Sequence, residues 1–217
     1  LEVRVLACDL RDPARQQTIH ELAAEADVGV CAADNEAAKY HWDALMRQQP
    51  KPWTLGEVLS GGIGGFVHCF VPEGPCYGCV ASHLQRSVAV DKAPRPDYTQ
   101  PGGPVHETTI PAGKASIQAI ASLHALVTLA LLPATHEAGE NGRAGPGAGG
   151  AASGLGFTSL LLTLQRVPGV FEEAFRPYRF RVPRAADCLI CQARPTPSSV
   201  EELDVALDQA LARLGDA

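Results

Sequence analysis

The sequence predicts an α/β fold built on a doubly wound sheet. Two observations carry this. Short apolar runs rich in β-branched residues alternate with segments of helical spacing in the order β-α-β-α-β between residues 3 and 70, and the helical segments carry their own start and stop signals. With 217 residues, 46% of them apolar, the chain has enough material for one large domain spanning 1–217.

VRVLACD at 3–9 reads as a buried strand. Asp12 followed by Pro13 supplies an N-cap and a first-turn proline, whose missing N–H costs nothing there, for a helix to about Glu25. ADVGVCAA at 26–33 is the next strand and ends at Asp34-Asn35. EAAKYHWDALMRQQ has helical spacing through Ala37, Tyr40, Ala44 and Leu45, and Pro50 and Pro52 stop it. WTLGEVLS and GFVHCFV read as two further strands. The intervening GGIGG at 61–65 precedes a strand, whereas a phosphate loop precedes a helix N-terminus, so it reads as a bend or bulge.

Residues 81–112 carry five prolines and little periodicity, and read as a loop crossing one face. A helix follows at 113–132. Its run ASIQAIASLHALVTLALL is interrupted by Ser116, Gln118, Ser122, His124 and Thr128, the pattern of a core helix rather than a membrane span. AGENGRAGPGAGGAASG at 138–154 reads as a flexible Gly/Ala-rich loop. SLLLTLQRVPG and FRPYRFRVPRAADCLIC read as a strand pair, and SSVEELDVALDQALARL as an amphipathic closing helix.

The net charge of -6, with no basic stripe, argues against a nucleic-acid partner. The N-terminus has no charged flank ahead of an apolar run, so the expected compartment is the reducing cytoplasm. The chain begins at Leu1 and its sole methionine is Met46, which reads as the later portion of a longer protein.

Seven cysteines are present, four of them in two Cys-x2-Cys pairs, Cys76 with Cys79 and Cys188 with Cys191. In a reducing compartment two such pairs supply the four thiolates of a tetrahedral structural zinc, each tight turn bringing two sulfurs together. The 108 intervening residues make this a staple between distant segments rather than a zinc ribbon. Two independent redox pairs are the competing reading, but neither pair heads a predicted helix after a strand, as a thioredoxin-like dithiol does. Cys8, Cys31 and Cys69 read as small buried hydrophobes. Asp34, beyond the carboxyl end of a strand, has two readings: a ligand for magnesium or a ribose hydroxyl, or the N-cap of the next helix.

ADVGVCAADNEAAKY, GGIGGFV, VPEGPCYGCV, the proline-rich loop, the Ala-rich helix and the closing DCLIC resemble the ThiF, MoeB and HesA superfamily of ubiquitin-activating-like adenylating enzymes, over about residues 3–191. The resemblance implies a Rossmann-like sheet with a zinc-stapled crossover loop. It also implies an enzyme that binds ATP and magnesium and adenylates the C-terminal carboxylate of a ubiquitin-like or sulfur-carrier protein or peptide. The family's Gly-rich nucleotide loop and phosphate-clamping Arg and Lys lie upstream of the first strand seen here, so the resemblance covers a partial domain.

Asp34 matches the family's acidic residue near magnesium and the phosphates, with Asn35 beside it. Lys39 stands where the family usually has Arg, keeping the charge without the planar fork. Its competing reading is a solvated helix residue. No cysteine lies between Cys79 and Cys188, so no thioester is expected on that loop, and His83 and His106 read as polar loop residues. Homodimers are common in the family. The rival readings are a non-catalytic family member that binds a partner, and a zinc-stapled dinucleotide-binding domain of an oxidoreductase.

Overall fold

A computed structural model of the chain describes residues 2–84, 111–141 and 154–192. Asp12 caps a 3-10 turn at Pro13–Arg15, its side chain accepting from Ala14 N–H, and the turn runs on into α1 (Gln16–Glu25). The expected proline-started helix is thus present. β1 (Gly29–Cys31), α2 (Glu36–Gln48), β2 (Trp53–Val58) and β3 (Gly64–Phe70) follow in the expected order. A short helix α3 (Tyr77–His83), the long helix α4 (Lys114–Asn141), β4 (Ser159–Thr163) and β5 (Pro177–Phe180) complete the described elements.

The strands form one mixed sheet in the order β1-β2-β3-β4-β5. Among the described residues only the β1–β2 pair is parallel, Gly29 facing Trp53 and Cys31 facing Leu55, with α2 as its crossover. From β2 onward every described pairing is antiparallel. The α/β class therefore holds, while the sheet is mixed rather than a run of parallel strands. The reason lies in the connection: the five residues from Leu59 to Ile63 that carry Gly61 and Gly62 at φ 73° and 66° turn the chain back on itself, which no parallel crossover can do. GGIGG is thus a bend, as its position ahead of a strand predicts.

Alternation along β2 and β3 divides the core. Trp53, Leu55 and Phe70 face α1, α2 and α3, and the Trp53 and Phe70 rings stack at 4.0 Å. On the opposite face α4 packs on β2 and β3 through Ile120, Val127 and Leu131. His124 Nε2 lies 2.8 Å from Thr54 Oγ1, and Thr54 shares a 2.7 Å hydrogen bond with Thr128. Gly56 and Gly65 permit this approach, because a Cβ on Gly56 would lie 2.4 Å from His124 Nδ1 and one on Gly65 2.6 Å from Ile120 Cγ1. α4 packs one side on the sheet, while Ile117, Leu126 and Leu129 are exposed on its outer side, and its Lys114–Leu132 part is long and apolar enough to cross a membrane.

Three expectations are corrected. Residues 3–9 form no strand: Val3 and Val5 are 73% and 86% exposed, and the segment finds no ladder partner among the described residues, while Leu6 merely leans on the core. Cys8 is accordingly exposed, whereas Cys31 and Cys69 are buried as expected. On α2, of the residues that carry the helical spacing, Leu45 is buried and Tyr40 packs on the core, but Ala37 is exposed and Ala44 half-buried, and Lys39, Asp43 and Met46 complete the buried face. Finally, α4 runs on to Asn141, into the segment read as a Gly/Ala-rich loop. Residues 85–110 of the crossover loop with His106, residues 142–153, and the closing helix at 198–214 lie outside the described residues.

Candidate functional site

β3 ends at Phe70, and a turn closed by Gly74 N–H to the Val71 carbonyl leads to Cys76, the N-cap residue of α3. The first helical turn puts Cys79 three residues on, on the same side, with the sulfurs 3.7 Å apart. The first pair thus does head a helix after a strand, contrary to the sequence reading. What separates it from a redox dithiol is its company. Cys188 Sγ lies 3.5 Å from Cys76 Sγ, Cys191 Sγ lies 3.5 Å from Cys79 Sγ, and all four sulfurs fall within 4.8 Å of one another.

A tetrahedron with Zn–S bonds of about 2.3 Å has edges of about 3.8 Å, close to the three sulfur–sulfur distances of 3.5–3.7 Å, so the four cysteines could hold a metal such as zinc. Four thiolates close the coordination sphere, which makes the site a structural one. Gly78 is what lets the two turns meet, because a Cβ there would come within 2.8 Å of Ile190 Cγ1. Ala185 N–H points at Cys79 Sγ at 3.4 Å, a backbone donor aimed at a thiolate acceptor.

The thiols share protons accordingly. The hydrogen bond from Cys76 holds Cys188 down to about 4, while that same bond and burial push Cys76 up. Burial chiefly pushes Cys79 up to about 11. A dication held by the four sulfurs would take the place of these protons and release them.

At the other end of α2 the sequence-predicted residues separate. Asn35 is the N-cap, its Oδ1 accepting from Ala38 N–H at 2.7 Å. Asp34 precedes it, exposed, beyond the carboxyl end of β1. Lys39 is buried rather than solvated, and its Nζ donates to Glu36 Oε1 at 2.7 Å and to Glu57 Oε1 at 2.6 Å. Burial works against its charge, but the Glu57 and Glu36 carboxylates outweigh it and hold its pKa above the usual lysine value. Asp34 and Lys39 therefore do not present one charged surface.

Lys39 belongs to a chain of groups that sequence reasoning did not pick out. Tyr77 O–H donates to Glu36 Oε2 at 2.7 Å. Glu57 Oε2 lies 3.0 Å from His68 Nε2, and His68 Nδ1 lies 2.8 Å from Ser159 Oγ. The Ser-His-Glu order resembles a nucleophile relay, but Ser159 is fully buried in β4, so no substrate carbonyl reaches it. Glu57 also lines an open hollow of about 370 Å³ with Phe66 and Leu84. The signal for Glu57 was in the alternation, since Trp53, Leu55 and Glu57 share one face of β2 and the first two are core.

A scan against protein-family models finds no match for the chain, and no curated protein matches it.

Proposed function

We propose that the chain is part of an ATP-dependent adenylating enzyme of the ThiF, MoeB and HesA kind, acting on the C-terminal carboxylate of a ubiquitin-like or sulfur-carrier protein or peptide. The observation that carries the proposal is the division of labour at the end of β1. Asn35 caps α2, which leaves the exposed Asp34 carboxylate free of that task at the carboxyl end of a strand in a parallel β-α-β unit, where such sheets bind ligands. The finer, Rossmann-like reading of the sheet belongs to this proposal, and so does the identity of the metal as zinc.

ATP with magnesium supplies the adenylyl group, which turns a carboxylate oxygen into a leaving group. In this reading Asp34 holds the metal ion beside the phosphates. Lys39, already satisfied by two carboxylates, braces the first turn of α2 and so fixes where Asp34 stands.

The test is carrier-dependent exchange of pyrophosphate into ATP by the full-length protein. Exchange that disappears in Asp34→Ala, with melting unchanged in the absence of nucleotide, supports the proposal. Wild-type protein that binds a carrier tail without exchange overturns it in favour of a non-catalytic binding member, the reading favoured by the neutralised Lys39.

A further inference from the structure

We propose that Asp43 and Arg47 are the positioning residues of the four-cysteine centre, a single clamp on α2 that grips both cysteine turns at once. The two residues are one helical turn apart, and Arg47 Nε donates to Asp43 Oδ2 at 2.9 Å. The other carboxylate oxygen, Oδ1, accepts from Tyr77 N–H at 3.0 Å, the peptide that immediately follows Cys76. Arg47 Nη1 in turn donates to the carbonyl of Ile190 at 3.4 Å, between Cys188 and Cys191. One carboxylate and one guanidinium thus tie the first pair to the second through backbone atoms adjoining the ligands.

The charge arrangement argues that this pair is there for position. A dication with four thiolates is an anionic group, and a fully buried carboxylate beside it is electrostatically unfavourable. The Asp43 charge is tolerated because it is spent on Arg47 and on a peptide N–H that α3, as a helix N-terminus, leaves without an intrahelical acceptor. Bound to Asp43, Arg47 presents a fixed N–H to Ile190 O. Tyr77 is held a second time through its phenol on Glu36, so α2 fixes the N-terminal turn of α3 from two points about two helical turns apart. Partners that orient metal ligands in this way are worth about 10- to 100-fold in metal affinity.

The proposal rests on the cysteines holding a metal, and the experiment keeps the two apart. Zinc content is measured on the purified full chain, and release is then timed with a chromophoric chelator. Wild-type protein without zinc would sink the metal reading itself. With zinc present, Asp43→Asn and Arg47→Lys should each release it about 10- to 100-fold faster, and the double variant should be no faster than the quicker single, since the two act as one unit. Cobalt-substituted variants should show altered ligand-field bands. Gly56→Ala, which loosens α4 on the far face of the sheet, serves as the control for general destabilisation. Release within twofold of wild type in both single variants overturns the clamp. So does an equal acceleration in Gly56→Ala at matched loss of melting temperature.

Discussion

At the scale of single residues, the Asp34-Asn35 pair shows how much one backbone position decides. Both side chains are good helix caps, and the residue directly before the first helical position, Glu36, takes the role. Asn35→Ala should therefore lose about 1 kcal/mol of stability, read as a lower denaturant midpoint, whereas Asp34→Ala should stay within about 0.5 kcal/mol. The reverse order would return Asp34 to a capping role and remove the basis of the adenylating proposal. The ambiguity was visible in the sequence, and only the dihedral angles of the cap resolve it. Lys39 was less legible. Its partner Glu36 sits three residues away on the same helix, but Glu57 arrives from the next strand, and lysine is buried only when such partners exist. A helix read alone cannot show a partner supplied by another element, which is also why the sequence does not single out Asp43, whose second partner is the Tyr77 N–H.

At the scale of elements, the contact of α4 with β2 sets two expectations. Gly56 faces His124 at a distance that leaves no room for a methyl group, so Gly56→Ala should cost about 1–3 kcal/mol, measured by thermal melting. His124 itself lends the contact a pH dependence. Burial, partly offset by the hydrogen bond at Thr54 and reinforced by nearby His68, holds its folded pKa below the ordinary histidine value of 6.5. The unfolded chain therefore binds the proton more readily than the folded one. The stability is fully present above about pH 6.5 and is lost as the pH falls through the lower folded value. His124→Gln should flatten the melting temperature over that acid window, and an unchanged slope would remove His124 as its source. Two of the five polar residues that interrupt 115–132 dock the helix, since His124 and Thr128, one turn apart, both reach Thr54, while Gln118 and Ser122 are exposed. The failure at 3–9 has the opposite cause. An apolar β-branched run describes a strand's local preference, while a strand exists only where a neighbour supplies the ladder, and no described strand lies beside that segment.

At the scale of the whole molecule, the four-cysteine centre joins segments that little else holds together. The stretch from Arg184 to Gln192 has no strand or helix of its own, and its ties to the rest of the described residues gather at this centre: Arg47 to the Ile190 carbonyl, Ala185 N–H to Cys79 Sγ, and Ile190 against Gly78, with Val182 in the core just before it. The two pairs were legible because each is a local pattern of three residues. Their convergence is a property of the fold, since it needs β5 to end where α3 begins. Structural zinc contributes about 10–16 kcal/mol in small domains, comparable with the entire stability of a typical domain at about 5–15 kcal/mol. Cys188→Ser should therefore release the metal and lower the melting temperature by well over ten degrees, with Cys76→Ser alike, because a three-sulfur cage no longer closes. Cys8→Ser, at an exposed thiol outside the cage, should change neither quantity. Paired measurement of zinc stoichiometry and melting separates the outcomes. Metal lost with melting unchanged would mean that the packing of α3 on α2 through Asp43 already holds the turn. Metal retained in Cys188→Ser would mean that the centre does not need its second pair, and the staple between the two halves of the sheet would have to be abandoned.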